Sequence, residues 1–489
     1  MEEKPKNLWK INTEYEAHVT ISTIDSITES EDADKKIYMK DLEKRKQVYG
    51  ICGECNEPGT GNKWCQPCNA KRFTDNFKNW TSGNKDIDEF IKQSQINAVY
   101  YTKCLEWIPF ENFQNINYIA EGGFGKIYSA QWPEGHIKYW DIKNQKWNRY
   151  SFSKYALKSL KNSFDICSNF LKEIESYLQL HLNYAVQCYG ITQDPKTKEY
   201  MMVLFYCYDG NLRKNICESK HYIEIGSKID ELQLIAKGLL DIHNSGFVHK
   251  DFHSGNILYN SIYPFISDLG MCQPANKKTG KIEGIYGVLP YVAPEVLCGH
   301  QYTKAADIYS FGIVMNELLS EEIPYNGIPH DNILAIAICR GRRPEISEGV
   351  PKLLSGLIIK CWDAKLENRP AAKELYYSLN KWYNEIIYDK YSEIGSQVVK
   401  CDKIGKEKFK NRSSTNQSKN TQTHPLAIYT SRLLYFKNLP KPVNSSNLSS
   451  FQFNSDTNYA TRSISADPIS KSCQLDESEL CGFWKDNIE

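Results

Sequence analysis

The stretch VHKDFHSGNIL, Val248 to Leu258, places an aspartate, two histidines, a serine and an asparagine between apolar runs. The flanking runs have the composition of β-strands, so the polar residues are expected on a loop. A lone aspartate on a loop is most often a solvated side chain. Whether Asp251 takes part in chemistry therefore depends on what else the chain supplies.

Length and composition first limit the class of protein. The chain has 489 residues, 41% of them hydrophobic, which is enough for two or three domains. Its 60 basic and 59 acidic side chains give a net charge of +1, so nucleic acid is not an expected partner. The start MEEKPKNLWK lacks an apolar signal region, and no window of about 18 apolar residues occurs. We expect a soluble cytoplasmic protein with no membrane partner, and its oligomeric state is left open.

The texture of the sequence changes along the chain and predicts five segments. Spacing of Ile87, Phe90, Ile91 and Ser94 predicts a short helix in the third of them. The segments are a polar, mobile N-terminal arm or short surface helix (1–49), a cysteine segment (50–70), a linker with the short helix (71–109), a domain of sheet and helix (110–387) and a disordered tail rich in Ser and Asn (388–489).

The cysteine segment reads CGECNEPGTGNKWCQPC, with Cys52, Cys55, Cys65 and Cys68 in two Cys-x-x-Cys turns. Four such sulfurs match the tetrahedral coordination of Zn²⁺ in a closed structural site. The alternative is a pair of redox dithiols, but a thioredoxin-like site needs one pair in a βαβ setting. The sequence predicts a structural zinc without an open position for chemistry.

Three features upstream of Asp251 have an individually weak link to phosphate binding. The run NYIAEGGFGKIYSAQW sets Gly122, Gly123 and Gly125 between two strands, although most such turns are simple hairpins. Lys158 interrupts the apolar strand YALKSL, where a lysine usually points to water. Glu173, on the amphipathic run SNFLKEIESYLQLH, is a possible carboxylate partner for that lysine.

Further motifs follow Asp251 in the chain. Asn256 comes five residues after Asp251, PFISDLG ends a strand at Asp268, and APE occupies Ala293 to Glu295. Each is weak alone, but all occur in one order with workable spacings. Together they resemble the protein kinases over residues 110–387, whose signature set is a Gly-rich loop, a strand Lys, a helix Glu, H-R-D-L-x-x-x-N, D-F-G and A-P-E.

The resemblance implies an α+β, bilobal protein kinase fold, with an antiparallel-sheet N-lobe and a mainly helical C-lobe. It implies ATP with Mg²⁺ and protein substrates, and the motifs DIYSFG and CW are similar to the tyrosine-kinase-like group of Ser/Thr kinases. The Cys-x-x-Cys pair resembles the preface of some expanded fungal kinase sets. By the same resemblance, Arg369 in CWDAKLENRP ties to Glu295.

The family's roles carry over to matching positions. Lys158, oriented by Glu173, would contact the α- and β-phosphates, and Asp251 would accept the proton of the attacking hydroxyl. Asn256 and Asp268 would hold Mg²⁺. The remaining nucleotide contacts would come from the Gly-rich loop and the hinge: Ala120, Gly122, Gly123, Phe124, Gly125, Ile127, Leu204 as gatekeeper, Phe205 and Cys207.

Several positions depart from the family pattern. Ala120 replaces the first loop glycine, and Lys250 replaces the arginine before Asp251. His253 and Val288 stand where Ser/Thr kinases carry a lysine and a threonine that bridge to the catalytic Asp. We expect His253 to fill the lysine role, and Ser/Thr transfer is favoured although Tyr is not excluded.

Two other classes of function compete with an active kinase. A nucleotide-binding pseudokinase scaffold is motivated by Ala120, His253 and Val288, and a zinc-dependent binding module with an incidental kinase fold is the third hypothesis. If the kinase is active, Thr279 and Tyr286 are the exposed candidates for regulatory phosphorylation.

Overall fold

The computed structural model of the protein describes residues 8–10, 19–21, 36–122, 125–160, 168–180, 184–219, 221–275, 284–414 and 423–444. Three residues predicted to have a role, Gly123, Phe124 and Thr279, lie outside the described residues.

The N-terminal region folds around the cysteine segment. Helix α3 (Lys85–Asn97) covers the stretch for which the apolar spacing predicts a helix, and the side chain of Asn84 caps it by accepting from the N–H groups of Asp86 and Ile87. The elements are β1 (Leu8–Trp9), β2 (Val19–Ile21), β3 (Lys36–Tyr38), α1 (Leu42–Tyr49), β4 (Gly50–Ile51), α2 (Gln66–Asn76) and α3 (Lys85–Asn97).

The described part of the predicted N-terminal arm is not mobile surface chain. Arg45 of α1 is buried and donates to the carbonyl oxygens of Gly59 at 2.9 Å and Pro58 at 2.5 Å. Val48 and Tyr49 are buried beside Ile37. Residues 42–49 therefore form a short helix, the second of the two predicted forms, and a few apolar side chains and one arginine fasten it to the cysteine segment.

A six-stranded sheet and one helix form the first lobe. The sheet order is β5-β11-β12-β10-β7-β6, and every pair is antiparallel except β5 with β11. Between β7 and β10 the chain inserts a separate hairpin, β8–β9. The elements are β5 (Glu106–Trp107), β6 (Gln114–Glu121), β7 (Gly125–Gln131), β8 (His136–Asp141), β9 (Lys146–Tyr150), β10 (Tyr155–Leu160), α4 (Ser168–Gln179), β11 (Cys188–Gln193) and β12 (Tyr200–Phe205).

The β8–β9 hairpin is the surface on which the cysteine segment docks. The ring of Trp147 stacks on Phe73 of α2, with centroids 4.9 Å apart, and on Trp64 at 6.0 Å. The guanidinium of Arg72 lies 4.3 Å from the centroid of the Trp140 ring. Such aromatic and cation–π contacts add to the burial of apolar area, so the N-terminal region is joined to the sheet lobe.

The second lobe is mainly helical. Helix α8 is buried from Ala306 to Ser320 and forms its centre. The elements are α5 (Leu212–Glu218), α6 (Ile225–Asn244), β13 (Phe247–Val248), β14 (Ile257–Asn260), β15 (Tyr263–Ile266), β16 (Gln273–Pro274), β17 (Ile285–Gly287), α7 (Pro294–Leu297), α8 (Lys304–Ser320), α9 (Asn332–Cys339), α10 (Lys352–Cys361) and α11 (Ala372–Tyr388). A sheet lobe followed by a helical lobe is consistent with the predicted bilobal fold. Among the described residues, no helix has the length and apolar character needed to span a membrane.

Two elements follow residue 388, so the predicted disordered tail (388–489) is wrong for residues 393–414 and 432–434, while residues 415–422 and 445–489 lie outside the described residues. Ile394 and Val398 of helix α12 (Glu393–Ser414) are buried, and Leu434 of strand β18 (Arg432–Leu434) is 3% exposed. Composition does not reveal these residues, because polar side chains outnumber apolar ones in this part of the sequence. The two elements are α12 (Glu393–Ser414) and β18 (Arg432–Leu434), the latter within the C-terminal segment (residues 423–444).

Candidate active site

The polar loop that carries Asp251, residues 249–256, is held by hydrogen bonds between its backbone and helix α8. The carboxylate of Asp307 accepts the N–H of His249 at 2.8 Å and that of Lys250 at 3.0 Å. His243 on α6 lies 2.9 Å from the same carboxylate. These bonds satisfy buried polar groups and fix the backbone just before Asp251.

Asp251 is buried, and its two oxygens have different surroundings. Oδ2 lies 3.3 Å from Nδ2 of Asn256, and it accepts the hydroxyl of Ser431 at 2.6 Å. Oδ1 has no hydrogen-bond partner among the described residues, although Nε2 of His253 is 3.7 Å away. The carboxylate therefore has spare capacity to accept a proton or a hydrogen bond.

The pKa of Asp251 reflects opposing effects. Burial raises it, but the nearby imidazole of His253 and the hydrogen bond from Ser431 outweigh burial and lower the pKa to about 2. Asp251 is therefore ionised at neutral pH and acts as an acceptor.

Lys158 bridges two carboxylates from different parts of the chain. Its Nζ lies 2.7 Å from Oε1 of Glu173 on α4 and 2.9 Å from Oδ1 of Asp268. Asp268 takes a left-handed backbone conformation, with φ 60° and ψ 67°. A Cβ at Gly270 would lie 2.7 Å from Oε2 of Glu173, so the glycine two residues after Asp268 leaves room for this carboxylate.

Burial and charge compete at Lys158 and Glu173, which are both buried. Burial lowers the pKa of Lys158, but the carboxylates of Asp268 and Glu173 outweigh it and raise the pKa above its ordinary value. Burial raises the pKa of Glu173 against the attraction of Lys158. Lys158 is therefore held as a cation next to two acidic side chains. In protein kinases, a strand lysine that is paired with a helix glutamate contacts the phosphates of the nucleotide.

The Gly-rich turn lies beside Lys158 in the sheet. Strand β7 pairs with β10 so that Ile127 is opposite Lys158, and β6 pairs with β7 so that Ala120 is opposite Ile127. Within the turn, the N–H of Gly122 donates to the carbonyl oxygen of Gly125 at 2.8 Å. The turn that the sequence linked to phosphate binding is therefore adjacent to the lysine.

The predicted hinge follows β12. Leu204 is buried and pairs with Ala156 of β10, and the N–H of Phe205 donates to the carbonyl oxygen of Gln187 at 2.9 Å. Cys207 is partly buried just beyond the strand. Leu204 and Phe205 lie on the strand next to the one that carries Lys158, and Cys207 follows that strand.

Glu295 and Arg369 form the buried ion pair that the resemblance implies. The guanidinium donates from both terminal nitrogens, at 2.8 Å to Oε1 and 2.7 Å to Oε2. This two-point geometry is the strong form of the interaction. It ties the chain that follows β17 to the segment before α11.

The four cysteine sulfurs meet in one place. All four Sγ atoms of Cys52, Cys55, Cys65 and Cys68 lie within 4.8 Å of one another. The Cys52–Cys68 and Cys55–Cys65 sulfurs are 3.9 and 3.6 Å apart. A tetrahedron with Zn–S bonds of about 2.3 Å has S–S edges of roughly 3.8 Å, so the cluster fits the metal.

Sequence reasoning missed two residues near these sites. Ser431, from the C-terminal segment, contacts Asp251, and Lys103 donates from Nζ to the carbonyl oxygens of Leu178 at 2.7 Å and Leu180 at 2.6 Å. For Ser431 there was a signal, because the apolar run LLYF that begins at Leu433 is unusual in a disordered tail. Nothing in the sequence singles out Lys103.

Comparison with known proteins agrees with the geometry. The family model described as protein tyrosine and serine/threonine kinase matches residues 113–379, more than half of the chain. The chain is 30% identical over 325 residues to the probable serine/threonine-protein kinase gdt2 of Dictyostelium discoideum, an alignment that covers 61% of this chain and 18% of the relative.

Two further relatives are similar at lower identity. The RGS domain-containing serine/threonine-protein kinase A of Dictyostelium discoideum is 27% identical over 314 residues, covering 63% of this chain and 24% of the relative. The protein kinase and PP2C-like domain-containing protein of Arabidopsis thaliana is 27% identical over 317 residues, covering 57% and 45%. The chain thus spans less than half the length of each of these relatives. From residue 113 to residue 379, this chain belongs to the protein tyrosine and serine/threonine kinase family.

Proposed function

We propose that this chain is an ATP-dependent protein kinase that transfers the γ-phosphate of ATP to serine or threonine hydroxyls. The observation that carries the proposal is the ammonium group of Lys158, which contacts both Glu173 and Asp268. Such a bridge brings together the groups that the family uses on a nucleotide. The alternative of a pseudokinase scaffold is not favoured, because Lys158, Glu173, Asp251, Asn256 and Asp268 are all present despite the changes at Ala120, His253 and Val288.

ATP would lie between the Gly-rich turn and the polar loop of Asp251. Lys158 would contact its α- and β-phosphates, while Gly122 and Gly125 let the turn come close to them. The backbone at Phe205 to Cys207 would hold the adenine behind Leu204. Support comes from the sheet register, which sets the turn, the lysine strand and the hinge strand side by side.

Asn256 and Asp268 fit a Mg²⁺ ion. Asn256 donates through Nδ2 to Asp251, which turns its amide oxygen away from that carboxylate, and Asp268 uses one oxygen for Lys158. Oxygen atoms of this kind are the ligands that Mg²⁺ prefers. When bound, the ion would offset negative charge on the phosphates.

Asp251 would orient the attacking hydroxyl and accept its proton. Its carboxylate is buried and accepts only a few hydrogen bonds from the described residues, so it can take a further proton. His253 would act beside it as a donor, in place of the lysine of other Ser/Thr kinases. Its Nδ1 accepts the N–H of Gly255 at 3.0 Å, so the proton of the neutral ring is on Nε2, which faces Asp251.

A transfer assay on the full chain tests the proposal. With labelled ATP and Mg²⁺, we expect phosphate on the chain itself or on dephosphorylated casein, on Ser or Thr. Asp251→Asn should bind ATP like the wild type but lose transfer by orders of magnitude. The exposed Asp389→Asn is the matched control. Wild-type protein that binds ATP but labels no Ser, Thr or Tyr would contradict the proposal and favour a scaffold.

We also propose that Cys52, Cys55, Cys65 and Cys68 hold one structural Zn²⁺. The sulfur separations support the proposal, because four thiolates complete the tetrahedral coordination of a structural zinc. The finer assignment to the tyrosine-kinase-like group rests on the motifs DIYSFG and CW, and a cytoplasmic location stays a prediction.

A further inference from the structure

The C-terminal segment (residues 423–444) lies on the helical lobe and is fastened to it by hydrogen bonds. Arg213 donates to the carbonyl oxygen of Tyr429 at 3.0 Å, and its guanidinium lies 4.6 Å from the centroid of the Tyr429 ring. The N–H of His330 donates to the carbonyl oxygen of Leu426 at 2.9 Å. The segment is therefore bound along its length and not at one point.

Strand β18 of this segment pairs with β17, the strand that leads towards the APE motif. The pairing is antiparallel, with Leu434 opposite Ile285 and Arg432 opposite Gly287. Leu434 is 3% exposed, whereas its neighbour Leu433 is 54% exposed. Backbone pairing plus one buried side chain is the way in which an extended peptide docks on a strand edge.

This docking brings a hydroxyl to the candidate catalytic carboxylate. Oγ of Ser431 lies 2.6 Å from Oδ2 of Asp251 and 3.2 Å from Nε2 of His253. Because Nε2 carries the proton of the neutral ring, His253 donates to Ser431, and Ser431 in turn donates to Asp251. A general base requires its substrate hydroxyl at about 2.6–3.2 Å, and this hydroxyl meets that requirement.

We propose that Ser431 is an intramolecular phosphoacceptor, and that residues 423–444 are a built-in substrate which blocks the peptide site until Ser431 is phosphorylated. The proposal rests on the proposed kinase function and names its first substrate as a serine of the same chain. The proposed phosphoacceptor is a serine and not a tyrosine, because the side chain in contact with Asp251 carries an aliphatic hydroxyl and not a phenol.

The transfer balances with ATP as the only co-reactant. Oγ of Ser431 forms a bond to the γ-phosphorus, the bond between that phosphorus and the β–γ bridging oxygen breaks, and the bridging oxygen leaves with the electron pair on ADP. The hydroxyl proton passes to Asp251 and then to solvent. The products are phosphoserine, ADP and a proton.

Phosphorylation would also release the segment. A phosphate adds about two negative charges, and on Ser431 these would face the buried carboxylate of Asp251. Like charges at that distance repel strongly where the carboxylate is buried. A tethered segment competes at an effective concentration of about 1 mM, so its release should raise activity towards other proteins by at least about tenfold.

The first experiment asks whether Ser431 is phosphorylated within one molecule. The dephosphorylated full chain is incubated with Mg²⁺ and ATP, and phosphopeptides are quantified by mass spectrometry. We expect Ser431 to be labelled at a rate per molecule that stays constant over a hundredfold dilution. Ser431→Ala should remove that label, and Thr430→Ala, at the exposed neighbouring hydroxyl, should retain it. A rate that falls in proportion to protein concentration would overturn the intramolecular proposal.

The second experiment asks whether the segment blocks other substrates. Leu434→Asp should expel the buried anchor and raise the initial rate on casein about tenfold, whereas Leu433→Asp at the exposed neighbour should leave it unchanged. Incubation with ATP should raise the casein rate of the wild type but not that of Ser431→Ala, whose segment stays docked.

The outcomes separate this proposal from the kinase function. If Leu434→Asp phosphorylates casein but Ser431 is never labelled in the wild type, the proposal is overturned while the kinase function stands. If no variant transfers phosphate to any protein, the kinase function itself fails. If Leu434→Asp and Leu433→Asp act alike on casein, the segment does not block the site and that part of the proposal is wrong.

Discussion

The ammonium group of Lys103 lies 2.6 Å from the carbonyl oxygen of Leu180, just beyond the last turn of α4. Burial lowers the pKa of this amine to about 7, and the amine donates to carbonyl groups at the helix end that have no partner within the helix. Helix α4 carries Glu173, so a residue outside the family match supports the helix that orients Lys158.

Loss of this contact should weaken both stability and transfer. Lys103→Met removes two buried hydrogen bonds but keeps an apolar side chain, and we expect the free energy of unfolding to fall by about 2 kcal/mol. Transfer should fall several-fold because α4 is less well held. Urea denaturation and a casein assay measure both effects, with the exposed Lys85→Met as control. Equal stability of the two variants would show that Lys103 adds nothing to the helix.

Glu173→Gln should impair nucleotide use more than folding. The amide keeps the size of the side chain but removes the negative charge that holds Lys158, so the lysine would turn towards Asp268 alone. We expect kcat/KM for ATP to fall by about 10- to 100-fold, or roughly 1.4–2.7 kcal/mol of transition-state binding. Glu175→Gln, at an exposed position two residues along α4, should behave as the wild type. A similar loss in both variants would point to the helix and not to the ion pair.

The zinc proposal predicts a metal content of about one equivalent, since four thiolates complete a closed site. Replacement of Cys52, Cys55, Cys65 and Cys68 by Ser should abolish the metal and lower the thermal midpoint. We expect ATP binding to be retained, because the cluster lies outside the family match. Cys217→Ser, at an exposed cysteine, should change neither property. Metal that persists in the quadruple variant would refute the assignment.

The same variant offers a spectroscopic readout. Trp64 and Trp147 stack across the interface between the cysteine segment and the β8–β9 hairpin. Loss of the metal should loosen this interface and shift tryptophan emission to longer wavelength. An unchanged spectrum would show that the hairpin and Arg45 hold the segment without the metal.

Acid should destabilise the sheet lobe through His136. The ring is buried, with Nδ1 3.1 Å from the hydroxyl of Tyr155, and burial together with the charges of Lys138 and Arg149 lowers its pKa to about 3. Because the unfolded chain takes up this proton near pH 6.5, stability falls as the pH drops from 6.5 towards 3.

The size of the effect follows from the same pKa. Between pH 7 and pH 5, His136 should account for about 2 kcal/mol of lost stability, an upper value if the site relaxes. Denaturation curves of His136→Gln should show a correspondingly shallower pH dependence, whereas His300→Gln, at an exposed position, should keep the wild-type slope. Parallel curves for all three proteins would contradict this assignment.

Local patterns in the sequence were sufficient for the individual parts of the site. Asp251, Asn256, Asp268 and Glu295 occur in motifs whose residue types and short spacings carry their chemistry, and the four cysteines have a ligand spacing of their own. The helix at Lys85–Asn97 follows from periodicity and a capping asparagine. Each of these features depends on residues within one turn or one loop, so each can be predicted from the sequence alone.

Contacts between distant residues were decided only by the tertiary structure. The Lys158–Asp268 and Lys103–Leu180 contacts join residues far apart in the chain, and no local pattern encodes such a pairing. The same is true of Ser431 and Asp251, which are 180 positions apart. Composition predicted disorder for that segment because its few apolar residues are outnumbered, yet one buried side chain and a partner strand are enough to order it. The sequence determined which functional groups the site contains. The packing of the chain decided that the hydroxyl of Ser431 lies next to Asp251.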